Sequence, residues 1–506
     1  MAFSLAEQGV IFIVGAGLCC FLFYLTLRAF YRITLHPLAS YPGPTLWSIS
    51  DLPSAYQTFQ GTLPFKISSL HAKYGPVVRI GPNNLTYIVE EAWTDIYARK
   101  VELRKDPSQF VIVGEEKVSG LLTAPDEEAH SRMRRNLAHG FSEKALRGQE
   151  YIIRGYVDLL MQRLHENCGK GTVDIAKWLN FASFDIIGDL TFGESFNCLE
   201  TSNMHKPREM LMKKQFWVQL IFDNLKSISL LGLMKKFPPL DKILLSLLPQ
   251  NAMGKQQEHL ALTEAKMMRR LKSQESRLDF LSEVQNQINK PSGMSKAELL
   301  PTVNLLIVAG SETTANLLSA TSYFILTNPS CLSNLQAEVR NAFKTEEEIN
   351  IVSVNSLSYM LAILNEVLRL YPPSPTSFNR LTPLGGCQIA GKFVPGNTSV
   401  AVNQWAANHS ATNFVRADEF IPERWMGADE FAVDNRRAVQ PFSVGRRGCI
   451  GRNLAYAEMR LILARLVWNF DVELAEESRD WMKNPRVFLV YEKRPLLVHL
   501  KPVIRG

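Results

Sequence analysis

One string constrains this chain more than any other: Phe442-Ser443-Val444-Gly445-Arg446-Arg447-Gly448-Cys449-Ile450-Gly451. A single cysteine stands among glycines 445, 448 and 451, with Arg447 two residues before it and a helical pattern behind it. Glycine lets a flat group press against the backbone at little steric cost. Backbone N–H groups and a helix N-terminus beside a sulfur favour the thiolate, which is the metal-binding form. A nearby cation such as Arg447 suits the carboxylates of a cofactor. The competing account is a structural cysteine buried in a Gly-rich turn.

The other extreme of patterning lies at the N-terminus. Residues 10–27 carry no charge and would span about 27 Å as a helix. Glu7, rather than Lys or Arg, precedes the run, and no small-residue cleavage pattern follows it, which argues against a removed signal peptide. Arg28 and Arg32 come directly after it and predict a cytosolic body behind an uncleaved anchor. His36-Pro37 and Tyr41-Pro42-Gly43-Pro44 then predict a stiff, extended hinge on which a globular body pivots. The expected division is a short lumenal N-terminus at 1–9, a transmembrane anchor at 10–28, a Pro-rich hinge at 29–44 and a catalytic domain at 45–506.

The chain has 506 residues, 46% of them hydrophobic, enough for a large core. Its 7 cysteines show no paired spacing, and Cys19 and Cys20 fall inside the apolar run, which disfavours a disulfide framework. The 9 histidines show no zinc spacing. A net charge of +7 without a long Lys/Arg block excludes a nucleic-acid partner but suits an acidic protein partner. The sequons at Asn84, Asn397 and Asn408 read as chance matches on a cytosolic body.

Residues 74–89 read as a short hairpin bounded by Gly and Pro. From about 125 to 340 the pattern is helical, with breaks at 168–171, around 232–240 and at 291–293. Ser295-x-x-Glu298 is a capping box for a long helix that Asn328-Pro329 ends, with Pro301 expected to kink or loosen its first turns. A second helix covers about 357–370, small strands are expected at 376–405, and a last helix runs from about 450 to 468. The fold class is mostly α with a small β portion.

Three further strings carry chemistry. Ala309-Gly310-Ser311-Glu312-Thr313-Thr314 lies mid-helix, where glycine costs about 1 kcal/mol relative to alanine. Such a cost predicts a local bulge that admits a small ligand, with Glu312 and Thr313 placed to relay protons. A Thr pair back-bonding in a kinked helix is the structural alternative. Glu366-x-x-Arg369, followed by Pro372-Pro373 and later by Pro422-Glu423-Arg424-Trp425, groups charges that serve structure when buried together. His130 and Arg134 share one face of a predicted helix.

Together these strings, in this order, resemble the cytochrome P450 family over essentially the whole chain. They match its haem loop F-x-x-G-x-R-x-C-x-G, its oxygen-activation motif A/G-G-x-D/E-T-T/S, its E-x-x-R and its P-E-R-F, with Trp425 in place of the commoner Phe. The resemblance implies a P450 fold behind a transmembrane helix, holding haem b with Cys449 as the axial thiolate. It implies Glu312 and Thr313 as proton-delivering residues. His130, Arg134, Arg380 and Arg447 would hold the haem propionates, with Phe442 and Gly451 shaping the loop. Glu366, Arg369 and Arg424 would form a buried ionic triad.

The leader around Leu35-His36-Pro37-Leu38 and the His-type helix look like fungal microsomal members that decorate secondary metabolites. That implies an endoplasmic-reticulum membrane enzyme, single-pass and cytosolic, with an NADPH-cytochrome reductase as electron donor and a lipophilic small molecule as substrate. Substrate-facing segments would fall at 108–124, 205–250, the face of Ala309, 374–378 and a C-terminal loop near Phe488, with Phe216, Trp217, Phe222 and Phe378 as apolar lining. A haem-thiolate isomerase or dehydratase needing neither O2 nor reductase is the alternative, and a haem sensor or carrier a further one; the acid–Thr pair argues against both.

Overall fold

A computed structural model of the chain describes residues 5–109, 118–201, 225–237, 242, 254–273, 275, 277–288 and 290–505. Helix α1 (Leu5–Thr34) carries the apolar run, and Ile11–Thr34 is long and apolar enough to cross a membrane. Its side chains from Ile11 to Arg28 are exposed.

The N-terminal half of the body is set by α2 (Glu127–Ala138), α3 (Glu143–Asn167) and α4 (Ile175–Phe192). Each begins on a side-chain cap: Asp126 Oδ1 accepts from Ala129 N, Ser142 Oγ from Ala145 N and Asp174 Oδ1 from Lys177 N. Helix α4 is buried on almost every side, as a mostly apolar sequence without a polar face must be. Its closest partner is the long helix α5 (Lys296–Thr327).

The capping box at the start of α5 is present in full. Ser295 Oγ accepts from Glu298 N at 3.2 Å, and Glu298 Oε2 accepts from Ser295 N at 2.9 Å. It runs on through Pro301, which lies inside the helix. One expectation is corrected: residues 309–314 stay α-helical, so the expected bulge is absent. Gly310 has another reason to be there: a Cβ at 310 would lie 2.6 Å from Ile187 Cδ1. The glycine lets α4 and α5 approach more closely than any side chain would.

Helices α6 (Ser358–Leu370) and α7 (Arg452–Asn469) complete the part of the body that carries the motifs. A five-stranded sheet covers one flank. Its strands are β1 (Val77–Gly81), β2 (Asn84–Tyr87), β3 (Arg104–Lys105), β4 (Arg380–Leu381) and β5 (Ser399–Val402), in the order β1-β2-β5-β4-β3. The expected hairpin is β1–β2, and β5 joins β2 in parallel with Asn84 opposite Ser399. Lys105 stands opposite Arg380, which sets two cations side by side. A short hairpin, β6 (Val487–Phe488) and β7 (Val490–Tyr491), turns at Leu489 with φ 69°.

The segment read as a hinge makes contacts with the body. Helix α1 continues past Arg28 to Thr34, and the residues behind it are packed onto the sheet. Leu38 and Tyr41 are buried, and the Tyr41 hydroxyl donates to Phe393 O at 2.7 Å. The Arg79 guanidinium, 1% exposed, donates to Arg32 O at 2.9 Å, Leu38 O at 3.3 Å and Pro82 O at 2.9 Å. A buried guanidinium without these acceptors would leave several donors unmet, so it draws the linker in.

Candidate active site

The cysteine loop is closed by its own backbone. Cys449 N donates to Phe442 O at 2.8 Å and Gly448 N to Gly445 O at 3.0 Å. Gly445 has φ +76°, and a Cβ there would run into Tyr97 O, so the position needs glycine on both counts. Arg134, on α2, donates from Nη1 to Gly448 O at 2.7 Å and so pins the loop from the far side. Gly451 caps α7, and Phe442 packs 5.3 Å from the Tyr456 ring. Cys449 keeps exposed surface in the folded chain. Burial by the surrounding protein nonetheless pushes its thiol up, while the Gly451 N–H, Arg134 and Arg452 act in the opposite sense. The donors expected to favour a thiolate are thus present around the sulfur.

A cationic cluster lies beside the loop. His130 is buried, and its imidazole is pushed down to about 3, first by burial and then by Arg447, Lys105, Arg134 and Arg380. All four cations therefore lie close enough to oppose a charge at His130. Arg447 pairs with Glu102, Nε to Oε1 at 2.6 Å, and also donates to Asp126 O. Its Nη1 is buried with no protein partner, as is Nε of Arg380. Two orphaned guanidinium N–H groups in one positive cluster fit the paired carboxylates of a haem. Lys105, which donates to Leu122 O, belongs to the cluster and is pushed down to about 7 by burial, Arg447 and Arg380. Sequence reasoning missed Lys105 because a lone lysine on a two-residue strand carries no motif; only its register against Arg380 reveals it.

On α5, Ala309 and Thr313 sit one turn apart, and Thr313 Oγ1 donates to Ala309 O at 2.7 Å. Glu312 points elsewhere: its side chain is 1% exposed and ion-pairs with Lys493 at 2.7 Å. Ser311 and Glu312 are buried while Ala309 is exposed, so the motif presents one accessible face and one packed face.

The ionic triad is assembled and fully buried. Arg369 Nη2 meets Glu366 Oε1 at 2.8 Å, and Arg424 Nε meets the same oxygen at 2.9 Å. Acceptors the motif does not announce join the network, among them Asn408 O, Ala417 O and Glu419 O for Arg369, and Asp434 for Arg424. Asn408 is fully buried, which removes its sequon from consideration. Phe378 is exposed, and Phe488 is buried against Leu225 and Val490. Phe216, Trp217 and Phe222 lie outside the described residues.

A cytochrome P450 family model matches residues 41–499. The chain belongs to the cytochrome P450 family. It is 43% identical over 490 residues to averantin hydroxylase of Dothistroma septosporum, covering 96% of this chain and 91% of that protein. It is 42% identical over 504 residues to the cytochrome P450 monooxygenase astA of Talaromyces wortmannii, covering 98% of each. It is also 42% identical over 496 residues to trichothecene C-15 hydroxylase of Fusarium sporotrichioides, covering 96% of this chain and 97% of that protein. As a P450 monooxygenase it is an oxidoreductase that incorporates oxygen, with a haem iron held by a cysteine thiolate, and such enzymes use redox partners and small-molecule substrates.

Proposed function

We propose that this P450 is a membrane-anchored monooxygenase that inserts one oxygen atom from O2 into a lipophilic small molecule of fungal secondary metabolism. Cys449 would supply the thiolate that holds the iron of a haem b. His130, Arg134, Arg380 and Arg447 hold its propionates, with Phe442 and Gly451 framing the loop. The observation that carries the assignment is the cysteine loop itself, closed by Cys449 N on Phe442 O and pinned by Arg134 on Gly448 O. The haem supplies oxygen binding and reduction. The chain supplies the rest: the loop fixes the sulfur, the cluster neutralises the carboxylates, and Glu312 and Thr313 carry protons along α5. Glu366, Arg369 and Arg424 brace the region and take no part in chemistry.

Electrons come from an NADPH-cytochrome reductase. The apolar α1 with Arg28 and Arg32 behind it supports an endoplasmic-reticulum anchor with a cytosolic body, retaining the boundaries 1–9 and 10–28 as lumenal and spanning. Two relatives bear hydroxylase names, which makes hydroxylation the first reaction to assay.

The test is spectroscopic and then kinetic. The reduced carbon monoxide complex has a thiolate-type band that Cys449→Ala abolishes and Cys449→His converts to an imidazole type. A thiolate-type band surviving in Cys449→Ala refutes the ligand. Product formation without NADPH and reductase refutes the monooxygenase reading.

A further inference from the structure

A carboxylate stands inside the positive cluster. Glu102 lies two residues before β3, and its side chain is 12% exposed. Its Oε1 accepts from Arg447 Nε at 2.6 Å. Arg447 Nη2 donates to Asp126 O at 3.1 Å, which leaves Nη1 buried without a protein partner. The guanidinium is thus held at two of its three nitrogens, and the third stays open. Lys105 follows Glu102 by three residues and stands opposite Arg380. Burial pushes the Arg380 guanidinium and the Lys105 ammonium down and Arg447 adds to both, while Glu102 opposes both.

An ion pair that only tied the segment around β3 to the cysteine loop would be redundant. Tyr97 O already meets that loop at Gly445, and Arg134 pins it at Gly448 O. Nor would a staple need the guanidinium turned so that one nitrogen is buried and open. Charge gives the second reason. Four cationic side chains act on His130 from this cluster, whereas a haem brings two carboxylates. In a dry site, excess positive charge favours whichever state of the cofactor carries less positive charge. Adding an electron to the iron makes that state, so an unbalanced cluster would raise its reduction potential. Glu102 supplies negative charge from the protein side, at the guanidinium whose open nitrogen faces the cluster.

We propose that Glu102 is a positioning residue for the haem carboxylates: it turns Nη1 of Arg447 toward them and offsets the excess charge of the cluster, which keeps the reduction potential of the iron low. This rests on the reading of Arg380 and Arg447 as propionate holders. The two effects pull in opposite directions on haem retention. Orienting Arg447 tightens it, while the negative charge loosens it by repelling the carboxylates. Glu102→Gln separates them, because the amide oxygen still accepts from Arg447 Nε but carries no charge. Glu102→Asp keeps the charge on a side chain one methylene shorter.

The experiment compares full-length wild-type holoenzyme with Glu102→Gln, Glu102→Asp and Glu102→Ala. Two readouts are taken without substrate: the midpoint potential of the haem by spectroelectrochemical titration, and the rate of haem transfer to excess apomyoglobin. Glu102→Gln is expected to raise the potential and to slow haem transfer several-fold. Glu102→Asp keeps the wild-type potential. Glu102→Ala raises the potential as Glu102→Gln does, but loses haem several-fold faster than Glu102→Gln because Arg447 is no longer oriented. If Glu102→Ala does not fold, Glu102→Met, which fills the space without accepting, takes its place. An unchanged potential in Glu102→Gln overturns the proposal. Equal haem transfer in Glu102→Gln and Glu102→Ala overturns its orienting half. A separate arm tests the propionate reading with Arg380→Gln, and with Arg447→Gln made together with Glu102→Gln so that no acid is stranded. Wild-type haem transfer in both overturns the propionate assignment itself, whatever the potential does in the Glu102 series.

Discussion

Trp425 donates its indole N–H to Glu366 Oε2 at 2.8 Å. The same oxygen accepts from Arg369 Nε at 2.9 Å, and the other oxygen accepts from Arg369 Nη2, Arg424 Nε and Ile421 N. A position where the family more often has phenylalanine is thus a fifth donor to a fully buried carboxylate. What reads as a mild departure in sequence is part of the network.

Replacing Trp425 by Phe removes that donor and keeps most of the ring. Glu366 retains its cations, so the loss is that of a hydrogen bond to a charged group, about 1.5–3 kcal/mol. Thermal unfolding of the holoenzyme is expected to move down by several degrees with haem content preserved. Glu366→Ala, by contrast, leaves Arg369 buried without a carboxylate and Arg424 with Asp434 alone, and is expected to give protein that does not retain haem. Equal, wild-type stability in both variants refutes the network's importance.

Gly310→Ala tests the packing account of the α5 glycine. The added methyl meets Ile187 at 2.6 Å, and overpacking of this kind costs about 1–3 kcal/mol. Ile187→Val in the same chain is expected to recover part of the lost Tm. If Gly310→Ala leaves Tm unchanged, the close approach of α4 and α5 is not what requires glycine.

Two histidines set an acid limit to stability. His71 is pushed down to about 4 and His409 to about 3, each chiefly by burial, with carbonyl hydrogen bonds from Gly75 and Trp405 in opposition. Their folded-state values lie below the ordinary histidine value of 6.5, so on acidification the unfolded chain takes up these protons first. Stability is full above about pH 6.5 and drains as pH falls toward about 4, by on the order of 2–4 kcal/mol per histidine. Asp185, pushed up to about 6 by burial, acts the other way and softens the slope between about pH 4 and 6. His71→Gln and His409→Gln should each flatten the fall of Tm over this window; an unaltered slope in both refutes the assignment.

Truncations separate the anchor from the clamp. Deleting residues 1–28 keeps the Arg32 and Leu38 carbonyls on Arg79, and is expected to weaken membrane association while preserving the haem spectrum. Deleting residues 1–40 strips those acceptors from a buried guanidinium. That should cost several kcal/mol, read as a lower Tm, with Arg79→Met recovering part of it. Identical stability of the two truncations refutes the clamp.

Much of this was visible in the sequence where the physics is local. The capping box at Ser295 and Glu298, the β1–β2 hairpin and the charges of Glu366 and Arg369 are spaced three or four residues apart, and short spacing is what pattern reading detects. Lys493, Asp434, Glu102 and Lys105 were not visible. Each acts on a residue brought near only by the tertiary fold, and a single charged side chain carries no sign of its partner. Gly310 shows a subtler gap. Its cost to the helix was plain, but the same glycine serves a bulge or a close approach, and the choice rests with Ile187 on another helix. The proline-rich segment shows a related gap: stiffness is encoded locally, attachment by Arg79 is not.

The clamp at Arg79 has a geometric result at the bilayer. Helix α1 is 30 residues, about 45 Å, against a hydrocarbon thickness of about 30 Å. The candidate span Ile11–Thr34, 24 residues or about 36 Å, also exceeds that thickness, so inside a bilayer it would lean more as the bilayer thins. With a freely jointed linker the body would not feel it. Here the last turn of α1 is bonded to β1 through Arg32 O, so a lean of the helix would be passed to the body. Membrane thickness would then bear on which face of the enzyme meets the lipid and from which side an apolar molecule would enter.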